Sequence, residues 1–399
     1  MMEGRISVVG LAVLVGCSST NFDVASSPDA SDGAVTDSGT LVDIGPPGPG
    51  DTGGGTADGR PGETGVACPV LSEPLEVWVD AASTAMTPTG ASECAFRQIA
   101  DAITYVTSLK PAIRTIRVRA GTYVEPVALR ITPGLTLRGA GAAVTKISGG
   151  GPCTSTSADP QCVIRLEGGG TVDGVDVNGA GTPLRNCIVT YPGTGNPVVL
   201  NTSVHGANGD GLAGVLATGG AQLGPNFVTS GNRFGVMAWG TQGVLFTGNG
   251  NRVENNTGYG VEMQGSGPLT LTGATVTNNG GFGIFIGANA GLKMRYVTVL
   301  SNPFGLMLVY GSSNNFDLGL DGDLGNNIFG SASGAKNTRG GVCVHTTRST
   351  SLQAVGDRWT KCDPDVKVLS GTDCNTADSY ADVWYRGTTA PNLTSCSSS

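Results

Sequence analysis

The sequence offers few side chains that could perform acid/base chemistry. Only 14% of its 399 residues are charged. Cleavage of a glycosidic bond requires two carboxylic acids that cooperate across one bond. Because the charges of the central region are so sparse, we predict no catalytic residue there. Between residues 187 and 316 the charged residues are Asp210, Arg233, Arg252, Glu254, Glu262, Lys293 and Arg295.

Two short motifs faintly resemble parts of known active sites. His205 and Asp210 lie in His-Gly-Ala-Asn-Gly-Asp-Gly, which resembles the acid/base region of polygalacturonases, but the paired Asp-Asp and Asn-x-Asp motifs are missing. We therefore interpret Asp210 as a turn residue. Lys293 and Arg295 alternate on one predicted strand. They resemble the basic residue of pectate-lyase-like enzymes, which removes the proton α to a uronate carboxylate. No acidic cluster is evident on neighbouring repeats, so we expect both side chains to face solvent.

One acidic stretch has the composition of a calcium site. Asp317, Asp321 and Asp323 fall within seven residues, and calcium prefers oxygen ligands at such density. The closing Glu of an EF-hand is missing, which favours a turn-rich coil instead. The chain has two His residues and no CxxC pair, which argues against zinc. No cofactor is therefore predicted, with calcium at these three Asp residues as the alternative.

A five-residue pattern that begins with Gly recurs through the second half of the chain. Successive Gly residues are 22 to 25 positions apart, and alternate apolar residues follow each of them. An Asn lies three or four positions before each Gly, beginning with Asn208. This period predicts a right-handed, single-stranded parallel β-helix, an all-β fold in which each repeat forms one coil. The pattern begins at Gly211, Gly235, Gly260, Gly283 and Gly305.

Strand alternation then assigns a role to each position of the repeat. Val236, Val261, Ile284 and Leu306 should point inward and stack along the axis. We expect Gly to supply a turn with positive φ. The preceding Asn232, Asn256, Asn279 and Asn302 should form a ladder of side-chain amides between coils.

The outward positions beside this stack are unusually apolar. Either a loop or another subunit covers them, or they form a platform on which sugar rings stack. The residues of this predicted platform are Phe234, Met237, Trp239, Tyr259, Phe282, Phe285, Phe304 and Met307.

The open end of such a coil stack requires a cover. Residues 94–109 form an amphipathic pattern in which Phe96, Ile99, Ile103 and Val106 share one face, so we predict a capping helix there. Residues 75–150, with Val77-Trp78-Val79-Asp80 and Ala120-Gly121-Thr122-Tyr123, resemble the N-terminal domain of unknown function of bacterial β-helix proteins in the pectin-lyase-like superfamily. The resemblance implies a fold but no particular activity.

The N-terminus resembles a lipoprotein leader. Residues 6–16 are apolar but too short to span a bilayer, and Leu14-Val15-Gly16-Cys17 resembles a lipobox. The resemblance implies cleavage before Cys17 and its lipidation; a secretory signal with a chance Cys is the alternative. Ser18 follows where an Asp would signal retention in the inner membrane. We therefore expect an exported protein, lipid-anchored to the cell envelope at the outer membrane.

Residues 18–67 form an acidic linker rich in Ser, Asp, Gly and Pro. Eight acidic residues against Arg60 alone give it a net charge of −7 out of −8 for the chain. Such a composition cannot bury a core, and we predict a disordered tether with a reach of roughly 40 Å. The β-helix domain spans 68–399, with 363–399 as a disulfide-bearing tail.

Nine Cys residues remain in an oxidising compartment. We expect local pairs, and among Cys153, Cys162 and Cys187 one residue must stay single or pair between chains. Cys153–Cys162 closes the shorter loop and is preferred, whereas Cys162–Cys187 would join adjacent coils. The other expected pairs are Cys68–Cys94, Cys343–Cys362 and Cys374–Cys396.

These features favour a membrane-tethered cell-envelope protein with a structural, adhesive or glycan-binding role. The alternative is a polysaccharide lyase or glycoside hydrolase that acts on an acidic glycan. The two readings differ in whether two carboxylates, or a carboxylate and a base, converge on the coil surface.

The expected partners are a membrane, through the lipid, and a polysaccharide. The absence of a basic stripe argues against nucleic acid. The oligomeric state is left open.

Overall fold

The computed structural model describes residues 68, 76–154, 160–181, 183, 185–287, 290–309, 316–331, 334–345, 352–361, 364–368 and 379–386. The predicted leader with Cys17, the linker and Cys362, Cys374 and Cys396 lie outside these residues. No helix among them is long and apolar enough to cross a bilayer.

The described chain winds through three sheets in turn, and each central coil adds one strand to each sheet. Apart from Gly151–Pro152, the strands pair in parallel. This is the predicted all-β, right-handed parallel β-helix. Sheet A contains Glu76–Val79, Thr115–Val118, Thr136–Gly139, Thr171–Asp173, Val198–Leu200, Ala221–Leu223, Val244–Phe246, Leu269–Thr272, Leu292–Arg295, Phe316–Gly319 and Leu352–Ala354.

The other two sheets continue each coil. Sheet B contains Gly121–Glu125, Thr145–Gly149, Asp176–Asn178, Ser203–His205, Val228–Ser230, Asn251–Glu254, Ala274–Thr277 and Thr298–Leu300. Sheet C contains Leu129–Ile131, Gly151–Pro152, Gln161–Glu167, Asn186–Tyr191, Ala213–Ala217, Phe234–Ala238, Val261–Met263, Phe282–Ile286, Phe304–Val309, Gly340–His345, Val366–Val368 and Ala381–Tyr385. The last two strands belong to the predicted tail.

The inward stack has the predicted register. Val236 is aligned with Val261, Val261 with Ile284, and Ile284 with Leu306, and all four side chains are fully buried. They belong to one continuous core cluster that extends from the first strand to Val383. Burial of this shared interior is the main force that holds the coils together.

The asparagine ladder is also confirmed, and it is one residue longer than predicted. The Nδ2 group of each Asn donates to the Oδ1 atom of the Asn on the next coil at 2.9–3.2 Å. Asn337 adds the final position. Asn208, which begins the pattern in the sequence, is exposed, and the backbone N–H of Ala207 bonds to Asn232 in its place.

The role predicted for the repeated Gly is wrong. Gly235, Gly260, Gly283 and Gly305 do not have positive φ, whereas Gly211 does. Gly211 lies outside this column, because the register aligns Gly214 with Gly235. Residues before the ladder Asn, such as Asn255 and Asn278, adopt the positive-φ conformation. A Cβ on Gly235 would lie 2.5 Å from the carbonyl oxygen of Gly260 and 2.9 Å from the Nδ2 atom of Asn256. Gly is therefore required because the next coil and its ladder amide approach too closely for a side chain.

The capping helix spans Ile99–Leu109, five residues shorter than predicted. Cys94 lies in the 3-10 helix Ser92–Cys94, and Phe96 pairs with Val79 as an isolated bridge. The carboxylate of Glu125 accepts hydrogen bonds from the backbone N–H groups of Ile99 and Ala100, at 2.8 and 3.1 Å, and so fixes the helix start.

Two of the expected disulfides lie among the described residues, Cys68–Cys94 and Cys153–Cys162. Cys343 is also disulfide-bonded, while its expected partner lies outside the described residues. Cys187 is a free thiol in the core, and burial raises its pKa to about 12. Cys162 packs in a separate apolar cluster outside that core, which explains why Cys162 and Cys187 are not joined.

Candidate ligand-binding face

The outer surface of sheet C carries a continuous row of large apolar side chains. In register along successive coils lie Leu216, Met237, Glu262, Phe285 and Met307. Glu262 interrupts a row that is otherwise apolar. The strands of sheet C position these side chains at the spacing of neighbouring strands, about 4.8 Å.

A second row, of aromatic rings, runs beside the first. Ring centroids are 5.6 Å apart from Phe234 to Tyr259, 5.2 Å from Tyr259 to Phe282 and 5.7 Å from Phe282 to Phe304. Phe285 joins the two rows, because its ring stacks on that of Tyr259 at 5.4 Å with 15° between the planes. We call the eight predicted platform residues together the aromatic face.

The members of the aromatic face differ in accessibility. Trp239 is 55% exposed, and Phe234, Tyr259 and Phe285 are partly buried. The remaining four are buried, so a ligand could not contact them directly; they support the accessible rings from below. These supporting residues are Met237, Phe282, Phe304 and Met307.

Glu262 is a buried carboxylic acid within this apolar surface. Its side chain lies between Met237 and Phe285, and the residue is only 6% exposed. Nε2 of Gln264 donates a hydrogen bond to Oε1, whereas Oε2 has no hydrogen-bond partner. Burial raises the pKa of Glu262. The sequence marks Glu262 only as one of the few charges between residues 187 and 316, because its burial depends on neighbouring coils.

The His205 side chain has an acidic partner, Asp176, that the sequence analysis did not single out. Nε2 of His205 donates to Oδ2 of Asp176 on the adjacent strand of sheet B, at 3.1 Å. This hydrogen bond raises the pKa of His205. Asp210 is fully exposed, with one oxygen 3.8 Å from Nε of Arg233. A carboxylate and a base, Asp176 and His205, therefore do converge on sheet B, whereas Asp210 does not take part.

The expectation that Lys293 and Arg295 lack acidic neighbours is wrong. Nη2 of Arg295 lies 2.8 Å from Asp317 and 2.7 Å from Asp323, and its side chain is only 6% exposed. Nζ of Lys293, which is half-exposed, lies 3.2 Å from Asp323. The register of sheet A brings these groups together, since Lys293 is aligned with Asp317 on the next coil.

This arrangement bears on the calcium alternative. Arg295 already pairs with Asp317 and Asp323, and Lys293 pairs with Asp323 as well. The hydrogen bond from Arg295 holds the pKa of Asp323 well below its usual value. Asp321 is exposed beside them. Among the residues that the structure describes, no three His, Cys, Asp or Glu side chains are grouped as metal ligands. These residues therefore do not fit a calcium site.

One family model agrees with the fold. Residues 162–319 match the family described as "Right handed beta helix region". Two A-modules of mannuronan C-5 epimerases from Azotobacter vinelandii are structurally similar. AlgE6 has a TM-score of 0.37 and 16% identity over 73% of this chain and 94% of its own. AlgE4 has a TM-score of 0.30 and 14% identity over 75% of this chain and 94% of its own. No curated protein matches significantly. Residues 162–319 are thus similar to that family, in agreement with the right-handed parallel β-helix that the described strands form.

Proposed function

We propose that this protein binds glycans on the aromatic face and does not cleave them. The observation that carries the proposal is the line of partly exposed rings on sheet C, Phe234, Tyr259 and Phe285. The exposed Trp239 directly follows the sheet C strand that begins at Phe234. The C–H groups of a sugar ring pack favourably on the face of an aromatic ring, and such contacts remove apolar surface from water. Rings on adjacent coils could contact consecutive sugars of one chain.

The chemistry of the same face supports binding without cleavage. Glu262 is a carboxylic acid on this face, and its aligned neighbours are Met237 and Phe285. Glycosidases require a second carboxylate several ångströms away, on the other side of the scissile bond. The buried Glu262 has no such companion in register.

The proposed location follows from the N-terminal sequence. A lipid on Cys17 would anchor the chain at the outer membrane, and the acidic linker would hold the β-helix away from the bilayer. A protein held in this way would retain extracellular polysaccharide at the cell envelope. Metabolic labelling with a fatty acid tests the anchor: labelling should occur in the natural chain and disappear in Cys17→Ser. Labelling that survives the substitution would contradict it.

Retention on immobilised glycans tests the proposed binding. The full chain is passed over neutral and uronate-rich polysaccharides, and the eluted glycan is examined for new reducing or unsaturated ends. We expect retention without new ends. Trp239→Ala should weaken retention, whereas Tyr296→Ala, which removes an exposed ring elsewhere, should leave it unchanged. Equal effects of both substitutions would contradict the assignment of this face.

One observation favours a second function, cleavage of an acidic glycan by a lyase or hydrolase. The hydrogen-bonded pair of His205 and Asp176 combines a base with a carboxylate on an accessible face. Turnover in the same assay, lost in His205→Ala, would replace the first proposal with this one.

A further inference from the structure

A second cluster of functional side chains lies far from the aromatic face, on the first coils of sheet A. Trp78, Arg117 and Arg138 occupy aligned outward positions on three consecutive strands. With Arg119 they line a groove with a cavity of about 450 Å³. We call it the arginine groove. Its volume is within the range of sites that hold small ligands.

Two guanidinium groups in this groove have unused donors. Arg117 bonds to Glu76 through Nε, at 2.5 Å, and Arg138 bonds to Asp173 through Nε, at 3.0 Å. Neither residue donates a hydrogen bond from its Nη atoms to any other described residue. Because the two residues are aligned on adjacent strands, both side chains project from the same face of sheet A.

The remaining residues of the groove hold these donors in place. Both Nη groups of Arg119 are engaged: Nη1 donates to Asp80 at 2.9 Å, and Nη2 donates to the carbonyl and hydroxyl oxygens of Ser92. The Trp78 ring lies 5.6 Å from the guanidinium carbon of Arg117 and 5.5 Å from that of Arg119. This cation–π contact restricts the Arg117 side chain, so that less conformational entropy is lost when a ligand binds.

We propose that the arginine groove binds the anionic group of an acidic sugar. Two guanidinium groups on adjacent strands, each with free N–H donors, can donate hydrogen bonds to the two oxygens of a carboxylate or to the oxygens of a sulfate. The inference rests on the proposed glycan-binding function, which supplies the class of molecule that carries the anion. The arginine groove would be a second site, at the end of the β-helix that carries the capping helix. We expect this site to prefer acidic over neutral sugars.

Titration of the full chain with defined oligosaccharides tests this site. The probes are a uronate oligomer, a sulfated oligomer of matched length and a neutral oligomer, each at low and high salt. We expect the acidic oligomers to bind and high salt to weaken that binding. The difference between the uronate and the sulfated oligomer shows which anion is preferred. If neither acidic oligomer binds more tightly than the neutral one, the proposal is overturned.

Matched variants locate the binding. Arg138→Gln and Arg117→Gln should each weaken binding of the acidic oligomer by about tenfold or more. Arg130→Gln removes an equal charge from an exposed arginine that is similarly paired, through Nε, with Glu167 on sheet C, and it should leave binding unchanged. Arg138→Lys keeps the charge but not the paired donors, and should recover only part of the affinity. Thermal unfolding of each variant establishes that it is folded.

The two proposals fail separately. If Trp239→Ala abolishes retention of neutral glycan while Arg138→Gln leaves acidic binding intact, the arginine groove is wrong and the aromatic face stands. If acidic binding depends on Arg138 while no variant of the aromatic face affects neutral glycan, the proposed function of that face is wrong. Equal effects of Arg130→Gln and Arg138→Gln would show a nonspecific charge effect and overturn the groove proposal.

Discussion

The side-chain amide of Asn256 donates to Oδ1 of Asn279 on the next coil, 2.9 Å away, and the backbone N–H of Asn256 donates to the same oxygen at 3.2 Å. Asn279 in turn donates to Asn302 and to the carbonyl oxygen of Val253. Each ladder residue is therefore a buried connection between three coils, and its removal leaves donors and acceptors of its neighbours unsatisfied.

We expect Asn279→Ala to lower the free energy of unfolding by about 2–4 kcal/mol, because several buried hydrogen-bonding groups lose their partners. Asn208→Ala, at an exposed position outside the ladder, should change it by less than about 0.5 kcal/mol. Urea unfolding monitored by circular dichroism measures both values. Similar losses in the two variants would contradict the ladder's structural role.

Arg295 joins the strand Leu292–Arg295 to the acidic turn of the next coil. Arg295→Met leaves Asp317, which is mostly buried, without its cation, and should lower the free energy of unfolding by about 2–4 kcal/mol. Lys293→Met, two residues earlier on the same strand, removes only a half-exposed charge and should cost less than about 1 kcal/mol. If added calcium stabilised the natural chain through Asp317 and Asp323, our assignment of these carboxylates to Arg295 would be wrong.

Glu262 provides a prediction about pH. Burial raises the pKa of Glu262 above the usual 4.5. Between pH 4.5 and this raised pKa, the folded chain therefore holds a proton on Glu262 that the unfolded chain releases. Its contribution to stability is complete below pH 4.5 and is lost as the pH rises through the raised pKa. Glu262→Met extends the apolar row and should stabilise the protein by about 1–3 kcal/mol at pH 8, with a smaller gain at pH 4.

Thermal unfolding at the two pH values measures this difference. Glu254→Met, at a partly exposed position on sheet B, serves as the control and should show no comparable gain at pH 8. A gain for Glu262→Met that is independent of pH would mean that the carboxylic acid is not responsible.

The sequence predicts those features that repeat from coil to coil. The spacing of Gly235, Gly260 and Gly283 indicates the coil length, and strand alternation then assigns Val261 and Ile284 to the core. The asparagine ladder follows from the same period. Each of these inferences needs only one repeat and its successor.

The features that sequence reasoning missed depend on the exact alignment of different coils. Asp323 lies 28 residues after Arg295, and Glu125 lies 26 residues after the helix start that it caps. Asp176 similarly precedes His205 by 29 residues. Neither composition nor local spacing marks such pairs, because an error of one residue in register would turn each side chain to the opposite face.

The central claim is that accessible rings on sheet C bind a glycan without cleaving it. Calorimetric titration of the full chain with a retained oligosaccharide tests it most directly, with Phe285→Ala as the variant. We predict that the substitution weakens binding by about fivefold to a hundredfold and that the oligosaccharide is recovered at its original length. Unchanged affinity in Phe285→Ala, or recovery of shortened oligosaccharide from the natural chain, would contradict the account.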